Sequence, residues 1–162
     1  RYWNGVVPWI SSSDLNENSI HEISITRFIS DLAIKESATK LIQKNSLLIV
    51  SRVGVGKLAV TLDKVCTSQD FTNFTPQSDN VFYLAYYLFF HKGKLLSFSQ
   101  GTSIKGFTKD DISSLKVELP CLKEQEKIAG FLSAVDEKIS QAQAQLAALK
   151  QYKQGLLQQM FV

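Results

Sequence analysis

The sequence predicts an α+β fold: a mixed α/β globular part followed by one long coiled-coil helix. Three observations predict it. Residues 1–120 alternate short apolar runs with polar, Gly-containing segments. The pattern breaks near Pro120. Beyond it, apolar residues recur at steps of four and three to the end of the chain, a seven-residue repeat that calls for a partner helix.

Val6–Ile10 reads as a short apolar strand, with Pro8 placing it at an edge or an end. Ser11–Asp14 is a polar loop, and Thr26–Gln43 is expected to be helical in its second half. Ser46–Ser51 is a strand of the buried type, bounded by polar residues. Gly54 and Gly56 mark a turn, and Leu58–Leu62 resumes as a strand. Val81–Phe90 has no period-two alternation and the length of a buried helix, with a strand as the alternative. Gln100–Phe107 is a polar loop. Thr108 caps a helix start, with Asp111 three residues on. Leu115–Leu119 reads as a closing strand that ends at Pro120.

The seam of the carboxy-terminal helix is Ile128, Leu132, Val135, Ile139, Ala142, Leu146, Leu149, Leu156 and Met160. Lys153 alone interrupts it, and its stem can lie along an apolar strip. Gly130 and Gly155 are mild defects of about 1 kcal/mol each relative to Ala. From Ile128 to Met160 a helix spans about 50 Å. The globular part should be only about 30 Å across. Part of the seam therefore projects beyond it and needs a second helix. The expected organisation is residues 1–120 as one globular domain and 121–162 as the helix.

The chain is 162 residues long, 44% hydrophobic and 20% charged, with ten Phe, five Tyr and two Trp. That composition excludes wholesale disorder. Cys66 and Cys121 lie far apart, and a reduced, cytoplasmic protein is the simple reading. The run Val81–Phe90 is about half of what a membrane span needs, so no membrane role is expected. The opening Arg-Tyr-Trp-Asn-Gly reads like the middle of a domain, so an amino-terminal piece is expected to precede it. Net charge is only +3, but it is unevenly spread. Residues 37–62 carry Lys40, Lys44, Arg52 and Lys57 without an acid; residues 80–109 carry Lys92, Lys94, Lys105 and Lys109 without one. Folded together, these windows would make a face that attracts phosphate; apart, they are solvated lysines.

Candidate catalytic groups fail one by one. His21 and His91 have no Cys or acid at metal-ligand spacing, so no metal is expected. Gly54–Leu58 falls short of a phosphate-binding loop: Ser51 stands where the first Gly should be, and Leu58 where a hydroxyl would hold magnesium. Asp110 and Asp111 are better explained by the helix cap. No catalytic residue and no cofactor is assigned. What remains suits recognition. Four polar segments, Ser11–Asp14, Ser51–Lys57, Thr67–Asn73 and Gln100–Lys109, offer hydrogen bonds to base edges and phosphates.

Several short motifs then occur in a familiar order. Tyr2-Trp3-Asn4-Gly5-Val6-Val7-Pro8-Trp9-Ile10 resembles the opening segment of target recognition domains in the specificity subunits of type I restriction–modification enzymes. Ser51-Arg52-Val53-Gly54-Val55-Gly56-Lys57 resembles their glycine turn. Thr67-Ser68-Gln69-Asp70-Phe71 resembles a further segment, with Ser68 where Asn is usual. Leu119-Pro120, Glu124–Ala129, Asp136–Ile139 and Leu156–Phe161 resemble the start, body and end of the family's spacer helix.

The resemblance implies a non-catalytic subunit whose recognition domain reads one half of a bipartite site in double-stranded DNA. In the family two such helices pack antiparallel, and they dock the methyltransferase subunits and, through them, the restriction subunit. This chain departs from the pattern by holding one recognition domain and one helix. An antiparallel homodimer through the helix would restore the two-fold arrangement. Arg52 is the expected guanine reader. Lys57, Lys105 and Lys109 are expected phosphate contacts, and Ser12, Ser13, Ser68, Gln69, Gln100, Thr102 and Ser103 polar readers. The competing reading is a coiled-coil dimeric protein-interaction module without DNA specificity. A third is the recognition end of a larger fused restriction–methylation enzyme.

Overall fold

The computed structural model describes residues 1–98 and 106–161. Its centre is a strand with no exposed residue. In β4 (Ser46–Val50) every side chain is buried, which is why its sequence shows no alternation. Its two faces feed different layers. Leu47 and Ile49 join Leu58 and Val60 of β5 (Leu58–Thr61) under α2 (Val81–Phe90). Leu48 packs instead with Ile10 of β1 (Val7–Ile10) and Val65 of β6 (Val65–Thr67). Val50 packs with Leu15 and Ala59.

Two sheets result. One has the order β2-β1-β6-β3, with β2 at Arg27–Ile29 and β3 at Leu41–Ile42. The other has the order β5-β4-β7, with β7 at Phe71–Phe74. All pairings are antiparallel except β1 with β6. Pro8 is tolerated because β6 pairs only with Trp9 and Ile10. The strand lies inside its sheet, but Pro8 lies at an end of it with one neighbour.

α2 is apolar nearly all round and is covered on one side by the sheet. On the other lies α5 (Leu122–Met160), a single helix of 39 residues. The described residues include no helix long and apolar enough to cross a membrane.

Several local expectations are corrected. The helix within 26–43 is α1 (Asp31–Glu36), earlier than expected. The Ser30 side chain accepts from the Ala33 amide and starts it, and it stops at Ser37. The residues expected to complete it pair as β3. Lys92–Phe98, a stretch with no sequence expectation, forms α3. The segment 67–73 is mostly strand, with only Ser68–Asp70 turning. Leu115–Leu119 joins no ladder. Leu115, Val117 and Leu119 line an apolar recess with Phe74, Leu84 and Leu88, so side chains rather than backbone bonds hold it. α4 (Lys109–Ser113) begins as expected, with the reciprocal Thr108–Asp111 capping box.

Candidate nucleic-acid interface

Three of the four polar segments follow strand ends, and the strands bring those ends together. Ser11, Ser51 and Ser68 directly follow β1, β4 and β6. The Ser68 amide donates to the Ile10 carbonyl at 2.9 Å. The Ser51 amide donates to the Asp70 carbonyl at 2.7 Å, which extends the β4–β7 pairing by one step, and the Ser68–Asp70 turn carries the chain from β6 of one sheet to β7 of the other. The Phe107 amide donates to the Ser51 carbonyl at 3.0 Å. Gly106 is required there: a Cβ on it would stand 2.6 Å from the Ser51 carbonyl oxygen.

Ser12 and Ser13 sit in a short 3-10 turn, Ser12–Asp14, closed by the Asp14 carboxylate on the Ser11 amide at 2.7 Å. The β4–β5 turn lies beside it. Gly54 and Gly56 have φ of 87° and 90°, a region open to Gly at no steric cost. Arg52 is exposed on that turn. Lys57 is half-buried, and its ammonium donates to the carbonyls of Ser12 and Leu15 at 3.4 and 3.3 Å. It therefore clamps two of the expected reading segments together.

Ser68, Gln69 and Lys109 line one cleft of about 680 Å³ with Trp9, Thr39 and Lys40. Asn73 at its wall donates to the Thr67 hydroxyl at 2.9 Å, and its Oδ1 is buried without a partner among the described residues. The two acid-free windows meet at two places. Lys40 and Lys109 share this cleft, and Lys92 of α3 packs against Gly56. Lys92 is paired with Glu17 at 3.0 Å, and that ammonium holds the Glu17 carboxyl below its usual range. Among the described residues, Lys40, Arg52 and Lys109 enter no ion pair. Gln100, Thr102, Ser103 and Lys105 lie outside the described residues.

Arg27 was not singled out by the sequence. Its guanidinium pairs with Asp14, donates to the Ser11 hydroxyl at 2.8 Å and stands 4.7 Å from the Trp9 ring centroid. A lone Arg between Thr26 and Phe28 carries no signal of this. Thr39 was also missed; Lys40 had at least its place in a basic window. Among the described residues no cluster of His, Cys, Asp or Glu could hold a metal.

The family model for the type I restriction modification DNA specificity domain matches residues 1–151. The chain belongs to that family. It is 30% identical over its full length to the type I restriction enzyme MjaIX specificity subunit of Methanocaldococcus jannaschii, and spans 38% of that protein. A solved structure from work on complex assembly and conformational transition of the type I R-M system matches with a TM-score of 0.67. That match has 23% identity over 96% of this chain and 38% of the other. The HsdS subunit from Thermoanaerobacter tengcongensis matches with a TM-score of 0.64, at 22% identity over 87% of this chain and 32% of that one. These two likenesses establish the α+β fold with its long carboxy-terminal helix.

Proposed function

We propose that this chain is a non-catalytic, sequence-specific DNA reader for a prokaryotic cytoplasmic restriction–modification complex. Residues 1–120 form its target recognition domain and 121–162 its spacer and dimerisation helix. The observation that carries the reading is the gathering of Ser12, Ser13, Arg52, Ser68, Gln69 and Lys109 at one end of two joined sheets. Arg52 reads guanine in the major groove and Lys109 meets phosphate. Lys57 holds the reading turn and adds its charge to the same field. Gln100, Thr102, Ser103 and Lys105 are proposed as further DNA contacts from the sequence alone.

One domain reads one half of a bipartite site. The second half is read by a second copy, joined antiparallel through the helix. What supports this is the exposed seam: Ile139, Leu146, Leu149 and Met160 are between 50% and 72% exposed in the isolated chain. The paired helices also dock methyltransferase subunits, and the restriction subunit joins through these.

Fluorescence anisotropy with a random-sequence duplex, from low to physiological salt, separates this reading from a pure interaction module. A DNA reader binds at low salt, and its log K falls linearly with log salt. Absence of all binding at low salt would leave the interaction module.

A further inference from the structure

The long helix meets its own domain along a face distinct from its apolar seam. Residues Gln125, Ala129, Ser133 and Asp136 point at the domain. At about 100° per residue they lie roughly a quarter turn from Val135 and Ile139 on the seam. The two buried residues of this face are Gln125 and Ala129, one polar and one small. Two polar pins fasten it.

The first pin is Gln125, which is 1% exposed. Its Oε1 accepts from the Asn80 amide at 2.9 Å. Its Nε2 donates to Asp79 Oδ1 and to the Pro120 carbonyl, both at 2.9 Å. The second lies eleven residues on, about 16 Å along the helix. There the Tyr86 hydroxyl of α2 donates to Asp136 Oδ2 at 2.7 Å and lies 3.3 Å from the Ser133 hydroxyl. His21 reaches the same group from the loop between Leu15 and Ile23. Its Nε2 lies 2.9 Å from the Tyr86 hydroxyl and 3.3 Å from Asp136 Oδ2, and its ring stacks on Phe82. Three separate parts of the chain thus converge on one point of the helix. One pin would leave the domain free to swing about it; two pins separated along the axis fix azimuth and tilt together.

We propose that His21, Tyr86 and Asp136, acting with Gln125, are positioning residues that set the distance between the two half-sites. The proposal rests on the reading of the chain as half of a two-fold DNA reader. The lever is short but sufficient. A swing of about 10° moves a reading segment on the order of 20 Å away by about 3.5 Å, using the domain size scaling. That is close to the 3.4 Å rise of one base pair. A rigid joint therefore selects one spacer length, and a loosened joint accepts neighbouring lengths, with the reading segments themselves untouched.

The test uses the full chain with Tyr86→Phe and Asp136→Ala, singly and together; both keep the apolar packing or the helix. Selection from duplexes with half-sites separated by every spacer length reads selectivity. The wild type should enrich a single length. The double variant should spread over at least one base pair on each side, with its half-site sequence unchanged. Nitroxide labels at Lys64 and Gln143, in a Cys121→Ser background diluted with unlabelled chain, read the joint without DNA. The distance distribution should be narrow in the wild type and broad in the double variant. An unchanged narrow distribution with an unchanged single spacer length overturns the proposal, and so does loss of the half-site sequence in the variants. If the wild type enriches no bipartite sequence, the DNA-reading premise fails instead, and the spin-label distances still decide whether these residues fix the joint.

Discussion

At the scale of single residues, the proposed reading face depends on contacts that admit little change. Arg52 stands exposed on a glycine turn, so Arg52→Ala should cost ~1–3 kcal/mol of binding and relax preference at one base pair. Binding titrations against single-base variants of the selected site check this, and an even loss across all of them would reassign Arg52 to phosphate. Gly106 packs its α-carbon against the Ser51 carbonyl, where a Cβ would stand at 2.6 Å. Gly106→Ala should destabilise the chain by about 1–3 kcal/mol in thermal or urea unfolding, because backbone has to move. Tyr86 gives a pH prediction. Burial pushes its phenol well above the ordinary value; the Ser133 hydrogen bond opposes this, and the neighbouring Asp136 carboxylate adds to the rise. A raised folded value means that the stability linked to the proton is present below about pH 10 and is lost as pH rises above it. Alkaline unfolding of Tyr86→Phe should lack that part of the decline. Sequence alone could single out Arg52, because a cation beside glycines is visible as a string. It could not single out Arg27, whose partners Asp14, Ser11 and Trp9 are brought to it only by the pairing of β1 with β2.

At the scale of elements, legibility followed burial. β4 is enclosed on both faces, so its apolar run announced it; α5 announced itself through its repeat, and α4 through the Thr108–Asp111 cap. β3 has two residues and little intrinsic preference, and only its partner β6 makes it a strand. Leu115–Leu119 has the alternation of a strand without the ladder, because side-chain burial alone produces that pattern. Gln125 looks like an ordinary surface glutamine at the start of a helix, yet it satisfies three backbone and side-chain groups in a buried site. Gln125→Ala strands the Asn80 amide and should cost ~1–3 kcal/mol in chemical denaturation. A loss below a few tenths would mean that water replaces the side chain.

At the scale of the whole molecule, the globular part and the helix meet through polar contacts, and the helix keeps its apolar seam outward except at the half-buried Leu132. A pair of chains can bury that seam. If the proposed dimer forms through this seam, Ile139→Asp with Leu146→Asp should give a monomer in sedimentation at tens of micromolar where the wild type is a dimer, with the globular part still folded. A wild-type monomer at the same concentration would remove the two-fold arrangement. The meeting of two acid-free windows at the Lys40–Lys109 cleft and at Gly56 was legible only as a condition in the sequence; the folding of α3 and α4 against the sheets supplied it. The most direct test of DNA reading is selection from a randomised interrupted-palindrome library, with the cognate methyltransferase subunits present. A two-fold DNA reader should enrich one bipartite motif with two-fold related halves. Uniform, salt-sensitive binding without an enriched motif would contradict it and leave a basic domain that holds phosphate alone.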